Sequence, residues 1–142
     1  MEHRKKETKG NDSPNSSLDV VWALHTDVVS WPVWNPDITD VTLEQPFAAG
    51  LSFLWHTAGL AIRSTVCALT DHSRILWGGT VQRIVGTHLW PFVEIEGGVL
   101  VSTEESWSGE PVEANTANLQ LGLDQSIVSW LQHLKTAAEA RA

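Results

Sequence analysis

The sequence has little cysteine and no long apolar run. Cys67 is the single cysteine among 142 residues, which excludes an internal disulfide. No apolar stretch approaches the roughly 18 residues that cross a bilayer, so we expect no stable membrane insertion. The first residues, MEHRKKETKG, contain no apolar segment of the secretory type. These absences predict a cytoplasmic protein in which Cys67 is an inert, buried thiol.

Several signatures of reaction chemistry are also missing. The six histidines are scattered and show no metal-ligand spacing, so we expect no metal and no cofactor. There is no Gly-rich phosphate loop and no Gly-x-Ser-x-Gly elbow of an esterase. Basic residues are few, since nine Lys and Arg stand against seventeen Asp and Glu, for a net charge of −8. Such an acidic body repels phosphate backbones, which argues against nucleic acid as a partner.

Tryptophan is the residue that the chain has in excess. Eight are present, and three of them lie between Trp22 and Pro36. Two interpretations compete for so much aromatic surface. The rings either fill a packed core or line a cavity that holds an apolar guest, and the sequence favours the cavity.

The two ends of the chain differ in character. Residues 1–16 are polar and lack apolar periodicity, which predicts a disordered N-terminal tail. Residues 17–142 predict one folded domain that begins with two short helices. Ser17 is a suitable N-cap for the first helix. Trp31-Pro32 places a proline in the first turn of the second.

The middle and the end of the domain show two periodicities. From Ile38 to Trp107 apolar residues alternate with polar ones in about six runs separated by short turns, which predicts an antiparallel meander. Pro91 predicts an edge or a bulge within one of these strands. Residues 109–118 read as a polar loop. A helix from Leu119 to about Glu139 then carries one apolar stripe, formed by Leu119, Leu123, Ile127, Trp130, Leu131, Leu134 and Ala138.

A helix with one apolar stripe and an antiparallel sheet bury their apolar faces on each other, so the fold class is α+β. Residues 17–141 also resemble the SRPBCC superfamily, the START and birch-pollen-allergen-like helix-grip fold. Within it, the chain is most similar to the polyketide cyclase/dehydrase and lipid transport group. The resemblance rests on ordered segments, namely VWALHTDVVSWPVWNPDITDV, LSFLWHT, AIRSTV, RILWGG, GTHLW, VSTEESWSG and LDQSIVSWLQHLKTAAEAR.

This resemblance implies a curved antiparallel sheet of about six to seven strands around a long C-terminal helix, with two short helices near the N-terminus. The family's first strand would fall on KKETKGNDSPN, whose composition does not suit a strand. Strand alternation combined with the resemblance also assigns the inward faces. It predicts a ligand pocket formed by Trp31, Trp34, Phe53, Trp55, Ser64, Val66, Trp77, Trp90, Thr103, Trp107, Ile127 and Trp130.

His88 and Glu105 are the candidate catalytic residues, because both are placed inside an otherwise apolar cavity. Such a pair can perform acid–base chemistry, or it can simply satisfy two buried polar groups by a structural hydrogen bond. Three functions therefore stay open. The chain binds a hydrophobic or aromatic small molecule, lipid-like or polyketide-like, or it is a cofactor-free polyketide cyclase or dehydratase using His88 and Glu105. The third possibility is a protein-interaction domain of the chaperone-activator kind.

Overall fold

A computed structural model gives the structure of the protein and describes residues 2–9 and 17–141. The strands are β1 (Glu2–Lys9), β2 (Ile38–Thr42), β3 (Ser52–Thr57), β4 (Leu60–Thr70), β5 (Arg74–Val81), β6 (Ile84–Ile95) and β7 (Gly98–Ser108). The helices are α1 (Leu18–Thr26), α2 (Trp31–Trp34), α3 (Glu110–Ala114) and α4 (Thr116–Ala140), and a 3-10 turn at Val28–Ser30 joins α1 to α2.

The strands form one antiparallel sheet in the order β1-β7-β6-β5-β4-β3-β2. From β2 to β7, neighbours in the sheet are also neighbours in sequence. Positive φ angles at Ala58 and Gly59, and again at Gln82 and Arg83, fit tight hairpin turns that match the twist of the strands. The sheet curls around the long C-terminal helix, which confirms the predicted α+β helix-grip architecture.

The strand register runs through Pro91 without a bulge. β6 pairs with β5 on one side and with β7 on the other, so the predicted edge or bulge is wrong. Proline lacks an N–H group, and the β6–β7 ladder accordingly has no pairs at Trp90 and Pro91 but resumes at Phe92. Phe92 is buried and Val93 is exposed. The inward face of β6 therefore carries His88, Trp90 and Phe92.

The structure differs from the prediction at the N-terminus, where a disordered tail was expected over residues 1–16. Glu2–Lys9 pairs with β7, from Glu2 opposite Trp107 to Lys9 opposite Leu100. Strand ladders are made by backbone groups, and charged residues are common on edge strands, so the polar composition did not prevent pairing. Residues 10–16 lie outside the described part of the chain, and the domain boundary at residue 17 stays a prediction.

α4 packs an apolar stripe against the concave side of the sheet. Its buried residues are Leu123, Ile127, Trp130, Leu131, Leu134 and Ala138, as the helical spacing predicted. The helix begins at Thr116, earlier than expected, and the short helix α3 replaces most of the predicted polar loop. Pro111 lies in the first turn of α3, where a missing N–H group is harmless. Within the described residues, no helix is long and apolar enough to cross a membrane.

The N-terminal helices close one end of the sheet. The Ser17 side chain accepts a hydrogen bond from the Val20 amide at 3.3 Å and so caps α1. The solvent-facing side of the sheet holds Cys67, whose thiol is exposed. The prediction of a buried Cys67 is therefore wrong, because this residue follows the inward-facing Val66 and points to the opposite face.

Candidate functional site

A cavity of about 450 Å³ lies between the sheet and α4. This volume falls within the range of small-molecule sites in proteins. The turn between β3 and β4 contributes Thr57 and Ala58 to the cavity, and the turn between β5 and β6 contributes Val81 and Gln82. The cavity therefore lies toward the end of the sheet where these two hairpins turn.

Indole rings form much of the cavity wall. Trp55 comes from β3, Trp77 from β5, Trp107 from β7 and Trp130 from α4. Each lies on the inward face of its element, as the alternation predicted. The indole N–H of Trp55 donates to the Ser64 hydroxyl at 3.0 Å, which fixes that ring and leaves the hydroxyl proton of Ser64 for another acceptor.

Glycines give the cavity a floor of bare backbone. Gly79 of β5 is paired with Gly86 of β6, and both line the cavity together with Gly78. A side chain at Gly79 would collide with the backbone carbonyl of Arg63, so only glycine fits this close approach. At these three positions the cavity is therefore bordered by backbone atoms.

The start of α4 covers the cavity with a second stripe, made by Leu119, Gly122, Ser126 and Trp130. These positions are spaced by three and four residues, so they share one face of the helix. A Cβ atom added at Gly122 would meet no heavy atom within 4 Å. The helix therefore borders open space at this point.

His88 and Glu105 are opposite each other on β6 and β7, and both line the cavity. Nδ1 of His88 is 3.7 Å from Oε1 of Glu105, beyond a normal hydrogen bond. The other carboxyl oxygen of Glu105 accepts a hydrogen bond from the Trp107 indole at 2.9 Å. The side chains are 5% and 17% exposed, respectively. The structure thus brings the two predicted catalytic residues together inside the cavity.

Burial shifts both ionisable groups toward their neutral forms. Desolvation raises the pKa of Glu105 to about 7, although the hydrogen bond from Trp107 acts against this rise. Desolvation also lowers the pKa of His88 well below its usual value, and the nearby His25 adds to the lowering. A carboxyl group with a pKa near 7 can both give and take a proton at neutral pH.

Seven of the predicted pocket residues lie away from the cavity wall. Trp31, Phe53, Val66, Trp90, Thr103 and Ile127 are buried in the packed core, and Trp34 packs against it from the edge. Trp31 enters from α2, and its ring lies 5.6 Å from Phe53 and 5.3 Å from Trp77, measured between ring centroids. Inward-facing side chains at this end are therefore covered by the N-terminal helices. Strand alternation indicates which side chains face the concave side of the sheet, but it does not indicate which end of that side is filled.

His25 of α1 completes the filled end. Its ring centroid is 4.2 Å from that of Trp90 and 5.5 Å from that of Trp77. Neither ring nitrogen has a hydrogen-bond partner among the described residues. Burial lowers the pKa of His25 to about 3, so this imidazole is neutral.

Sequence reasoning missed the residues that create the empty space. Gly79 and Gly86 are glycines within strands, a pattern that often marks close approach of a backbone or a ligand, and this signal was available. Gly122 shares a helical face with Leu119 and Ser126, which was also visible as spacing. Among the described residues, no group of three or more His, Cys, Asp or Glu side chains is placed to hold a metal ion.

No family model matches the sequence, and no curated protein does so significantly. Solved structures do resemble the fold. The di-domain ARO/CYC StfQ from the steffimycin biosynthetic pathway aligns with a TM-score of 0.78 at 16% identity. The alignment covers 98% of this chain and 51% of StfQ, so the chain spans about half of that protein.

Two single-domain structures align over nearly their whole length. Bacillus halodurans protein BH1534 has a TM-score of 0.76 at 14% identity, with 98% of each chain covered. A START superfamily protein from Mycobacterium smegmatis has a TM-score of 0.72 at 14% identity, covering 99% of this chain and 97% of that one. The chain therefore shares the helix-grip fold of these proteins.

Proposed function

We propose that this protein binds a hydrophobic small molecule in the cavity between its sheet and α4. The observation that carries the proposal is the cavity of about 450 Å³, with four indole rings in its wall and a glycine floor. Mostly apolar, concave spaces with a few polar groups are the usual sites for small molecules. Ser64, His88 and Glu105 supply those polar groups here.

The lipid-like and polyketide-like guests expected from the sequence both suit this cavity. StfQ, by its description, belongs to a biosynthetic pathway for steffimycin, which supports a polyketide-like guest as one candidate. Native mass spectrometry of protein purified from its own host would identify a bound molecule. A co-purified apolar compound is the expected result.

Filling the cavity from α4 tests the proposal directly. Gly122→Phe adds a ring where a Cβ meets no neighbour, so it should reduce the affinity for the neutral dye Nile red by at least about tenfold without unfolding the protein. Gln125→Phe is the matched control, because Gln125 is an exposed residue of the same helix that does not line the cavity. Equal dye affinity in both variants would contradict binding in this cavity.

A second candidate function is acid–base catalysis, such as that of a cofactor-free cyclase or dehydratase. The raised pKa of Glu105 favours it, since a carboxylate with that pKa can remove a proton next to a ketone. 2-Tetralone is a suitable probe, because exchange of its acidic C1 protons for deuterium reports proton removal. We expect the protein to accelerate this exchange with an inflection near pH 7, and Glu105→Gln to abolish the acceleration. An unchanged exchange rate in the variant would exclude Glu105 as the base.

A further inference from the structure

The described residues that line the cavity include acidic side chains but no basic Lys or Arg. The ionisable groups among them are Asp37, His88 and Glu105. Asp37 is exposed and accepts a hydrogen bond from Ser129 through its carboxylate. His88 is buried as a neutral ring. Glu105 is therefore the group that brings negative charge into the interior of the cavity.

Among the residues whose side chains are described, no Lys or Arg contacts the carboxyl group of Glu105. The described contacts of its carboxyl group are the Trp107 indole N–H at 2.9 Å and the His88 imidazole at 3.7 Å. On β1, Arg4 is the residue in register with Glu105. A guest with a carboxylate or phosphate would bring a second negative charge close to this carboxyl group, which is unfavourable in a low-dielectric site.

The indole rings in the cavity wall favour a positively charged guest. Indole rings attract cations through their electron-rich faces, and tryptophan does so most strongly among aromatic residues. Trp107 holds the carboxyl group by its N–H, while Trp55, Trp77 and Trp130 border the same space. A carboxylate beside several indoles is the combination that recognises an organic ammonium ion.

We propose that the cavity is selective for apolar guests that carry an amine, with Glu105 as the counter-ion. This inference rests on the proposed binding function and adds the charge class of the ligand. The ammonium group forms a charge-assisted hydrogen bond with Oε1 of Glu105, the oxygen that does not accept from Trp107. The apolar body of the guest occupies the space over Gly79 and Gly86. Neutral guests bind less tightly, and anionic guests bind least.

Proton release follows from this geometry. Below pH 7 Glu105 is mostly protonated, and an ammonium ion binds the ionised form. Amine binding at pH 6 therefore displaces close to one proton, whereas at pH 8 it displaces about a tenth of one. A neutral guest displaces none. The pKa of His88 is lowered well below its usual value by burial, so its ring adds no proton to this count.

Three naphthalenes that differ only in their polar group form the test. They carry an aminomethyl, a hydroxymethyl or a carboxylate group at position 2, and isothermal titration calorimetry gives their affinities at pH 8. We expect the amine to bind roughly tenfold more tightly than the alcohol, and the acid more weakly than both. Titrations at pH 6 in two buffers of different ionisation enthalpy give the number of protons released.

Glu105→Gln keeps the shape of the side chain and removes its charge. This variant should lose the tenfold preference for the amine and release no proton. Glu104→Gln is the control, since it removes the same charge from the neighbouring residue on the other face of β7, and it should keep the preference. Arg4→Gln should also keep the tenfold preference for the amine. If the natural protein shows no such preference and Arg4→Gln does, the inference is overturned for the natural chain.

The outcomes separate this inference from the function on which it rests. If the alcohol binds as tightly as the amine, and Gly122→Phe blocks both, the cavity binds small molecules but the charge selectivity is wrong. If none of the three naphthalenes binds and Nile red binds equally well to the Gly122→Phe and Gln125→Phe proteins, both the inference and the proposed function are overturned.

Discussion

The carboxyl group of Glu105 lies in the buried wall of the cavity, where desolvation disfavours the carboxylate. The Glu105 side chain is 17% exposed, and among the described residues the Trp107 indole donates a hydrogen bond to its carboxylate. Its pKa rises from 4.5 to about 7 because the charge is desolvated. Glu105 therefore makes the free energy of unfolding depend on pH.

The sign of that dependence follows from the raised pKa. The folded state holds the proton more tightly than the unfolded state, so the contribution of Glu105 is fully present below pH 4.5 and is lost as the pH rises through about 7. A shift of this size corresponds to about 3 kcal/mol. We predict that Glu105→Gln raises the free energy of unfolding at pH 8.5 by up to about 3 kcal/mol and changes it by less than about 1 kcal/mol at pH 4.5.

Urea denaturation of the natural protein and the variant at the two pH values measures this difference. Glu104→Gln is the comparison, because this variant keeps the carboxyl group of Glu105. A stability difference between Glu105→Gln and the natural protein that is the same at both pH values would mean that the carboxyl group is not desolvated in solution.

The imidazole ring of His25 packs among aromatic side chains as another ring of the core would. Its ring is packed among Trp31, Trp77, Trp90 and Phe92, with centroid distances of 4.2 to 5.7 Å. His25 shares the helical spacing of the buried residues Val21 and Trp22 in α1, which is a local pattern. This pattern could not indicate that the imidazole would be surrounded by rings, because those rings come from α2, β5 and β6, far apart in sequence.

At the level of secondary structure, β1 and β7 depend on each other. β7 has β6 on one side, and β1 supplies the hydrogen-bond partners on the other, along eight paired positions. Without β1, β7 would be an unprotected edge with free backbone groups. The pairing rests on backbone contacts, which is why the polar sequence of residues 2–9 concealed it.

Deletion of residues 1–9 tests the contribution of β1. We predict that the truncated protein has a Tm lower by at least about 5 °C, since loss of one or two kcal/mol in a domain of this size has that effect. Hydrogen exchange should be faster at β7 amides that face β1, while β4 and β5 amides change only with global stability. Unchanged protection in β7 would show that β1 is not paired in solution.

The sequence predicted most elements because their periodicity is local. Strands β2 to β7 and helix α4 follow from alternation and from the apolar stripe, and these patterns require no knowledge of distant residues. α3 was missed because Gly109 and Pro111 were read as loop signals, although a proline in the first turn of a helix is favourable. β1 was missed because its pairing has no apolar signature.

The cavity was harder to predict than the fold. Trp55, Ser64, Trp77, Trp107 and Trp130 lie in its wall, together with His88 and Glu105, as their inward faces suggested. Trp90 and Ile127 face the same way and yet belong to the solid core. An inward-facing residue packs against another ring where α1 and α2 cover the sheet, and it borders the cavity where they do not. How far these helices extend across the sheet is decided by tertiary packing.

At the scale of the whole molecule, the concave side of the sheet has a solid end and a hollow end. Trp31, Trp77 and Trp90 are almost completely buried at the solid end, where Trp77 packs against each of the other two. The hollow end is bordered by hairpin turns, strand glycines and the first turns of α4. Trp77 and Trp130 border both regions, so they connect the packed core to the cavity.

This division separates the residues that keep the protein folded from those that would face a guest under the proposed function. Truncation of Trp31 or Trp90 would cost about 3–5 kcal/mol, a large part of the stability of an ordinary domain. Substitutions at Gly122 or Ser126 reshape space that is already empty and leave the solid end intact. The choice of guest can therefore drift, one substitution at a time, without any ancestor along the way losing its fold.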